Sequence, residues 1–506
     1  MSCWRAGLLC GPVREDEPVA DSKPAQVLVV GSGAGGSVTA LELARAGFDV
    51  VLVEEGRRFD RSEYGRDATS AMAQLYRRRG MTPILGRPPI GYVEGCCLGG
   101  STEINSGFWH RTPREVLLRW RSQFELVDAM PDDLERHFEW AERELCVSPY
   151  PGTWPPSTRW FARGIERMAW AAHEVPRVAP GCASVNRCAS GCPSGAKQGM
   201  TARLLPQAED AGARILTRCR ARFLLWRKHR VSGVIAELEH PDQRRELVRI
   251  DAEHVFVCAG PTETPALLLR SGIKYRVGDS LRIHPMLKVA ARFPEPVDAH
   301  STVLPLLQVK EFWPAISLGG SYSSLGHLAM LLSDSWPVLA GSIDDHRRLA
   351  MYYVAVKGTG TGRVRSSPLG DDEASLRYQL SAEDLRNLSM GLARLSALLL
   401  AAGAETVHPA ISGLPTITSE LDAVRWLDEI IPRNAVSLST VHAFSSCPIG
   451  ERVARTAADS FGRVHGFRNL YLNDASIIPD SPGVNPQGTV MALARRNVMR
   501  FIEQQK

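Results

Sequence analysis

The stretch "AQVLVVGSGAGGSVTALELARAGFDVVLVEEG", residues 25–56, constrains this chain more than any other. Gln26 to Val30 is a short apolar run and reads as a buried strand. Ser37 to Ala46 has helical spacing and is stopped by Gly47. Val50 to Val53 is a second buried strand that ends in acid. Between the first strand and the helix, Gly31, Gly33 and Gly36 form GxGxxG, with Ala34 and Gly35 completing the turn. The first glycine permits the tight turn, the second lets a pyrophosphate approach the backbone, and the third lets helix and strand pack closely. The helix N-terminus then faces the phosphates. Glu54 follows Gly36 by 18 residues, where a carboxylate can accept both ribose hydroxyls of an adenosine and repel a 2'-phosphate, which disfavours NADP. A merely glycine-rich turn is the competing reading; the complete β-α-β unit with its acid favours a dinucleotide. The motif does not choose between NAD and FAD.

Composition narrows the rest. With 506 residues and 44% hydrophobic content the chain can bury a large core, and its length suggests several domains. The net charge of +5 is mild, and no basic run carries interleaved aromatics, so nucleic acid is not expected as a partner. Eleven cysteines without paired spacing fit a reduced, cytoplasmic setting. The longest apolar run, around "LSALLLAAGA", is far short of a transmembrane segment. The apolar patch Ala6 to Cys10 is too short for a signal peptide, and residues 1–24 read as a flexible leader.

Further along, 111–144 reads as helices rich in Trp and Arg, and 201–211 as helical. "ARILTRCRARFLLW", "VSGVIAELEH" and "ELVRIDAEHVFVCAG" read as strands of a small sheet. Residues 381–402 form an amphipathic helix ending at Gly403. Residues 437–450 read as a loop, and "FRNLYLNDASIIP" as a strand followed by a loop.

Three more segments carry a resemblance. "GCCLGGSTEINSGFW" is a second glycine-rich turn, "GPTETPALLLRSGI" follows the buried strand "HVFVCAG", and "GRVHGFRNLYLNDASIIPDSPGVNPQGTVMALARRN" closes the chain. With the first motif they resemble the glucose-methanol-choline (GMC) oxidoreductases, from about residue 25 onward. "GCCLGGST", "CASGCPSGAKQGM", "GTGTGRVRS" and "LLAAGAETV" are similar to long-chain alcohol oxidases, and "GVNPQGTVMALARRN" to cholesterol oxidases. The resemblance implies an α/β fold: a Rossmann-like FAD-binding domain and a discontinuous substrate domain on a mostly antiparallel sheet backed by helices. The expected division is 25–115, 200–290 and 430–506 for FAD, 116–199 as a helical and loop cover over the flavin, and 291–429 for substrate.

The resemblance also implies roles. Gly31, Gly33, Gly36 and Glu54 would hold adenosine and pyrophosphate. Gly99, Gly100, Ser101 and Asn105 would run beside the isoalloxazine and ribityl chain. Asp474 and Ala475 would cap the diphosphate, with Ala259 and Pro486 nearby, and Gly488 and Thr489 would lie under the flavin pyrimidine edge. No histidine lies between Gly99 and Asn105, so a non-covalent FAD is expected. His442 in "STVHAFSSCPIG" occupies the place of the family's active-site histidine, 43 residues before Asn485. A neutral imidazole is the natural base for a hydroxyl proton near pH 7. Pro486 holds Asn485 extended before a helix, where its carboxamide can donate to a substrate oxygen. A plain N-cap is the alternative role for Asn485. One departure stands out: relatives usually carry H-x-x-G, and here Ser445 replaces the glycine.

Cys182, Cys188 and Cys192 are spaced C-x5-C-x3-C, which matches neither a zinc nor a ferredoxin pattern, so no metal is expected. Lys197, His408 and His465 read as structural. Apolar stretches such as "MYYVAV" and "FWPAI" favour a long-chain, terpenoid or steroid alcohol as substrate. The expected activity is FAD-dependent oxidation of such an alcohol, with molecular oxygen, a quinone or a protein as electron acceptor. A flavin lyase or decarboxylase, or an inactive flavoprotein scaffold, are the alternatives.

Overall fold

The computed structural model describes residues 24–65, 67–367, 373–414 and 416–506. All but the last residue of the expected leader lies outside them.

Two sheets organise the described residues. The first runs in the order Arg214–Leu216, Val50–Val53, Ala25–Val30, Arg245–Val257, Arg230–Glu239, Cys219–Arg227, with Leu470–Leu472 also joined to Arg245–Val257. Ala25–Val30 is parallel to both neighbours. Val27, Leu28 and Val29 are wholly buried, as a parallel strand covered on both faces requires. The strands read as a small sheet do pair with one another, Cys219–Arg227 with Arg230–Glu239 and the latter with Arg245–Val257, and they continue the first sheet. Arg245–Val257 is a single strand of 13 residues. Its first half pairs antiparallel with Arg230–Glu239, and its second half pairs parallel with Ala25–Val30 and Leu470–Leu472. This long strand delivers residues 258–260 to the glycine turn at its end.

The second sheet has eleven strands and is mostly antiparallel; parallel joins occur at Leu376↔Ile84 and Leu438↔Ile90. At its centre Met286–Arg292 pairs with Leu349–Val356, followed by Ile316–Gly320, Leu307–Val309 and Ala172–Glu174. Helix Ala382–Ala402 backs this sheet through buried Leu385, Leu388, Leu392, Leu395 and Leu399. Ser381 and Asp384 close its start with reciprocal 2.9 Å bonds, and Gly403 ends it in the left-handed region.

The chain enters and leaves these sheets more often than expected. Thr82–Leu85 and Ile90–Tyr92 belong to the second sheet. Segment 116–199 is divided: Val116, Trp120 and Phe138 enter the first core, Phe161 and Ile165 the second. The region 437–450 is not simply a loop. It contains Leu438–Thr440, on the second sheet, and Ala443–Phe444, which pairs with Arg282–Ile283. No described helix is long and apolar enough to cross a membrane.

Candidate active site

A single cavity of about 430 Å³ runs between the sheets. One end is walled by the glycine turn, Glu54, Ala259, Asp474 and Ala475, the middle by Gly100, Ser101 and Asn105, and the other end by His442, Asn485, Pro486 and the face of the second sheet.

The glycine end is shaped by close backbone packing. Gly31 has φ +100°, and a Cβ there would lie 2.4 Å from the Cys258 carbonyl oxygen, so only glycine fits. A Cβ on Gly36 would stand 1.9 Å from the Gly31 oxygen, and one on Gly35 1.9 Å from the Asn473 oxygen, which keeps helix Ala34–Arg45 tight against its sheet. Gly33 differs: its missing Cβ faces open space. The turn at Gly100 closes on it, since a Cβ there would be 3.2 Å from the Gly33 Cα. The result is a bare backbone cradle at a helix N-terminus, which suits a diphosphate.

Glu54 is buried beside this cradle. It accepts from Ser32 N at 3.0 Å, Ser32 Oγ at 2.6 Å and Gly56 N at 2.9 Å. Burial raises its pKa, opposed by those hydrogen bonds. A carboxylate has about four acceptor sites, so capacity for a further hydroxyl donor remains. Asp474 accepts from Gly260 N at 2.9 Å and Thr264 Oγ1 at 2.5 Å, which ties the last strand to the start of helix Gly260–Arg270.

Four of the expected cofactor residues lie off the cavity wall. Gly36 packs on Gly31 as described. Gly99 gives its N–H to Ser32 Oγ at 2.9 Å, and a Cβ on it would strike the Glu103 carboxylate. A Cβ on Gly488 would be 2.2 Å from the His110 carbonyl oxygen, and Thr489 Oγ1 bonds Thr112 Oγ1 at 2.8 Å. Their side faces therefore hold the closing helix in place. Lys197 is buried and donates to the carbonyls of Glu103, Asn105 and Cys188 at 2.7, 3.0 and 2.9 Å, clamping the second glycine turn. Cys182 and Cys188 accept from Arg177 at 3.3 and 3.4 Å, and no cluster of metal-ligating residues occurs among the described residues. His408 bonds Thr406 and His465 bonds Thr456; neither lines the cavity.

His442 and Asn485 meet at the far end. Asn485 Nδ2 lies 3.3 Å from His442 Nε2. The capping alternative for Asn485 is corrected: Pro486 occupies the N-cap of helix Gln487–Gln505, and no side chain caps it. The Asn485 carboxamide is turned by Gln308, whose Nε2 reaches Asn485 Oδ1 at a long 3.5 Å and donates to Tyr353 Oη at 2.6 Å. His110 Nε2 lies 2.9 Å from Gln308 Oε1, which leaves the Gln308 amide group facing Asn485.

Behind His442 stands a residue with no local sequence signal, His284. The Arg282–Ile283 and Ala443–Phe444 pairing sets the two histidines side by side, with Nδ1 atoms 3.1 Å apart. His284 Nε2 is 2.9 Å from Ser481 Oγ, and Ser481 Oγ donates to the Lys357 carbonyl at 2.6 Å. This chain assigns the tautomers. The single Ser481 proton is spent on a carbonyl, so Ser481 accepts from His284 Nε2–H. Burial holds His284 well below its usual pKa, hence neutral, with a bare Nδ1. That Nδ1 accepts from His442 Nδ1–H, and His442 Nε2 is left with its lone pair toward Asn485 and the cavity. Burial pushes His442 down to about 4, so it too is neutral near pH 7.

The departure at Ser445 has a backbone reading. Ser445 sits at φ +63°, wholly buried, in the conformation a glycine adopts without strain. The loop therefore holds a serine in the left-handed region, where a glycine would carry no strain.

A bare cradle that suits a diphosphate, a buried acid beside it and a neutral histidine beside a carboxamide share one cavity, an arrangement that suits a dinucleotide cofactor next to a proton acceptor. Comparison with known proteins gives the family. The amino-terminal GMC oxidoreductase domain matches residues 27–286, and the carboxy-terminal domain residues 358–494. The chain is 40% identical over 472 residues to the GMC-type oxidoreductase y4nJ of Sinorhizobium fredii, covering 93% of both. It is 28% identical to a long-chain-alcohol oxidase of Arabidopsis thaliana, over 92% of this chain and 65% of that one. Solved structures of formate oxidase and of pyridoxine 4-oxidase from Mesorbium loti share its fold, with TM-scores of 0.72 and 0.68 at 15% and 16% identity. They cover 96% and 94% of this chain and 99% of each of those. The chain belongs to the GMC oxidoreductases, and the family implies FAD as cofactor.

Proposed function

We propose that this protein oxidises an alcohol with an apolar body to the aldehyde or ketone, using non-covalently bound FAD. The observation that carries the reading is the 3.3 Å approach of Asn485 Nδ2 to His442 Nε2 on the wall of the cavity. Two groups so placed flank one point, where a hydroxyl oxygen gives its proton to the imidazole and accepts from the carboxamide.

The glycine turn and Asp474–Ala475 would hold the diphosphate, and Glu54 the adenosine ribose. FAD, when bound, supplies the two-electron acceptor for the carbinol hydrogen. His442 Nε2 takes the hydroxyl proton, and His284 keeps that lone pair in place by accepting at the opposite nitrogen. Asn485 Nδ2 donates to the oxygen as negative charge builds on it. Gln308 fixes the direction of that donor. Phe108, Leu304, Met286 and Met330 on the same cavity support an apolar substrate body, as does the similarity to long-chain-alcohol oxidases. The absence of histidine between Gly99 and Asn105 supports the non-covalent mode.

The test is anaerobic mixing of the flavin-loaded protein with long-chain, terpenoid and sterol alcohols. Bleaching of the flavin band by one class supports the reading. Bleaching by none opposes it.

A further inference from the structure

The second sheet turns one face to the cavity, and its register can be followed across it. Gln308 pairs with Gly319, and Gly319 with Tyr353, on three neighbouring strands. The Tyr353 side chain lies along this row. A Cβ on Gly319 would be 2.7 Å from Tyr353 Oη, so the phenol passes over the glycine, and its oxygen meets Gln308 Nε2 at 2.6 Å. The bare strand position makes room for that reach. Gln308 and Tyr353 both line the cavity. The same Gln308 nitrogen reaches Asn485 Oδ1, so one side chain joins the phenol to the catalytic end.

The protons along this row are fixed from the catalytic end. The bare His442 Nε2 faces Asn485 Nδ2, which turns Asn485 Oδ1 toward Gln308. Gln308 therefore presents its amide protons there, and Tyr353 Oη accepts from it. His110 Nε2 at Gln308 Oε1 supports the same orientation. A phenol that accepts still has its own proton to give. Burial raises Tyr353 to about 12, so that proton is in place near pH 7. The nearby Ser317 hydroxyl is outside hydrogen-bond geometry and, where it acts on the phenol, acts as a donor. Among the described residues the Tyr353 proton has no acceptor.

A wholly apolar ligand over Tyr353 displaces water and leaves this donor unpaired, which opposes binding. A ligand oxygen at that point removes the loss. Resting on the alcohol-oxidation reading, we infer that the substrate carries a second oxygen, as ether, carbonyl or hydroxyl, and that Tyr353 donates its proton to it. The carbinol oxygen lies between His442 and Asn485. Only Gln308 separates that point from Tyr353, which places the second oxygen a few atoms along the substrate. Met286 and Met330, on the same cavity wall, suit an apolar remainder.

The flavin-loaded protein decides this with a positional series. kcat/KM is measured for 1-alkanols in which an ether oxygen replaces one methylene at successive positions. Where no donor waits, the oxygen should lower kcat/KM below that of the parent alkanol. At the position that meets Tyr353, kcat/KM should exceed that of the other positions by about three- to tenfold, the scale of one hydrogen bond. In Tyr353→Phe that position should lose its advantage, whatever the change in overall rate. Gly319→Ala keeps the phenol but puts a Cβ against its oxygen, so it too should flatten the series. A series with no favoured position, or a favoured position that survives in Tyr353→Phe, overturns the inference even if alcohols are oxidised. Methyl ethers of the same alcohols have no hydroxyl to oxidise, and calorimetry on them reads binding alone. A Tyr353-dependent favoured position in the ethers, without turnover of any alcohol, keeps the phenol contact and rejects the oxidation reading. If Tyr353→Phe does not fold, the wild-type series and Gly319→Ala decide.

Discussion

His442 and His284 face each other through their Nδ1 atoms at 3.1 Å, and Ser481 fixes which of them carries the proton. The partner that orients the base is therefore another imidazole. Replacing His284 with Leu should lower kcat by about 10- to 100-fold, as loss of an orienting neighbour does, with little change in KM. His284→Asn keeps an acceptor for His442 Nδ1–H and a donor for Ser481, so it should recover much of that loss. Steady-state kinetics of the two variants check this; equal losses would make His284 a packing residue.

The protonation state of His442 sets the acid limit of activity. Burial holds it down at about 4, below the ordinary value near ~6.5. A depressed histidine is available as a base above its folded pKa and is lost as pH falls through it. The acid limb of kcat/KM should therefore have its midpoint near 4. The same shift makes the folding contribution of the neutral ring complete above ~6.5 and declining as pH falls from there toward 4. A pH–rate profile with its acid midpoint near ~6.5 would contradict this environment for His442.

Asn485 acts through one donor. Asn485→Ala should lower kcat by about 10²- to 10³-fold while FAD stays bound, since a single oxyanion donor has that effect. Gln308→Leu leaves the donor but frees its direction, so its loss should be smaller. Flavin content and kcat measured together separate these effects from unfolding.

Ser445 stores backbone strain at φ +63° with its Oγ buried and unpartnered among the described residues. A non-glycine residue in that region costs about 1–2 kcal/mol, offset in part by the entropy that glycine loses on folding. Ser445→Gly should raise stability by up to about 1 kcal/mol, read as a higher Tm. A lower Tm would show that the serine side chain contributes more than the strain removes.

The first β-α-β unit and the capped helix Ala382–Ala402 were legible because each is local: a period, a cap or a motif inside a short window; His442 and Asn485, 43 residues apart, were singled out by the resemblance. Arg245–Val257 was less so, since nothing within one strand tells that its halves join different neighbours. His284, Gln308 and Tyr353 were not legible. They reach the site by strand pairing across long separations, and a lone His or Gln beside an apolar strand carries no period of its own. Thr489, which the resemblance places beside the flavin, turns its Oγ1 to Thr112, a pairing across 377 residues that no local pattern signals.

The most direct measurement is the anaerobic rate of flavin bleaching, after mixing with an alcohol that reduces the wild-type protein, in His442→Ala against wild type. The variant should retain its flavin and be reduced about 10²- to 10⁴-fold more slowly, the range of a general base. A flavin-loaded variant reduced at the wild-type rate would contradict His442 as the base.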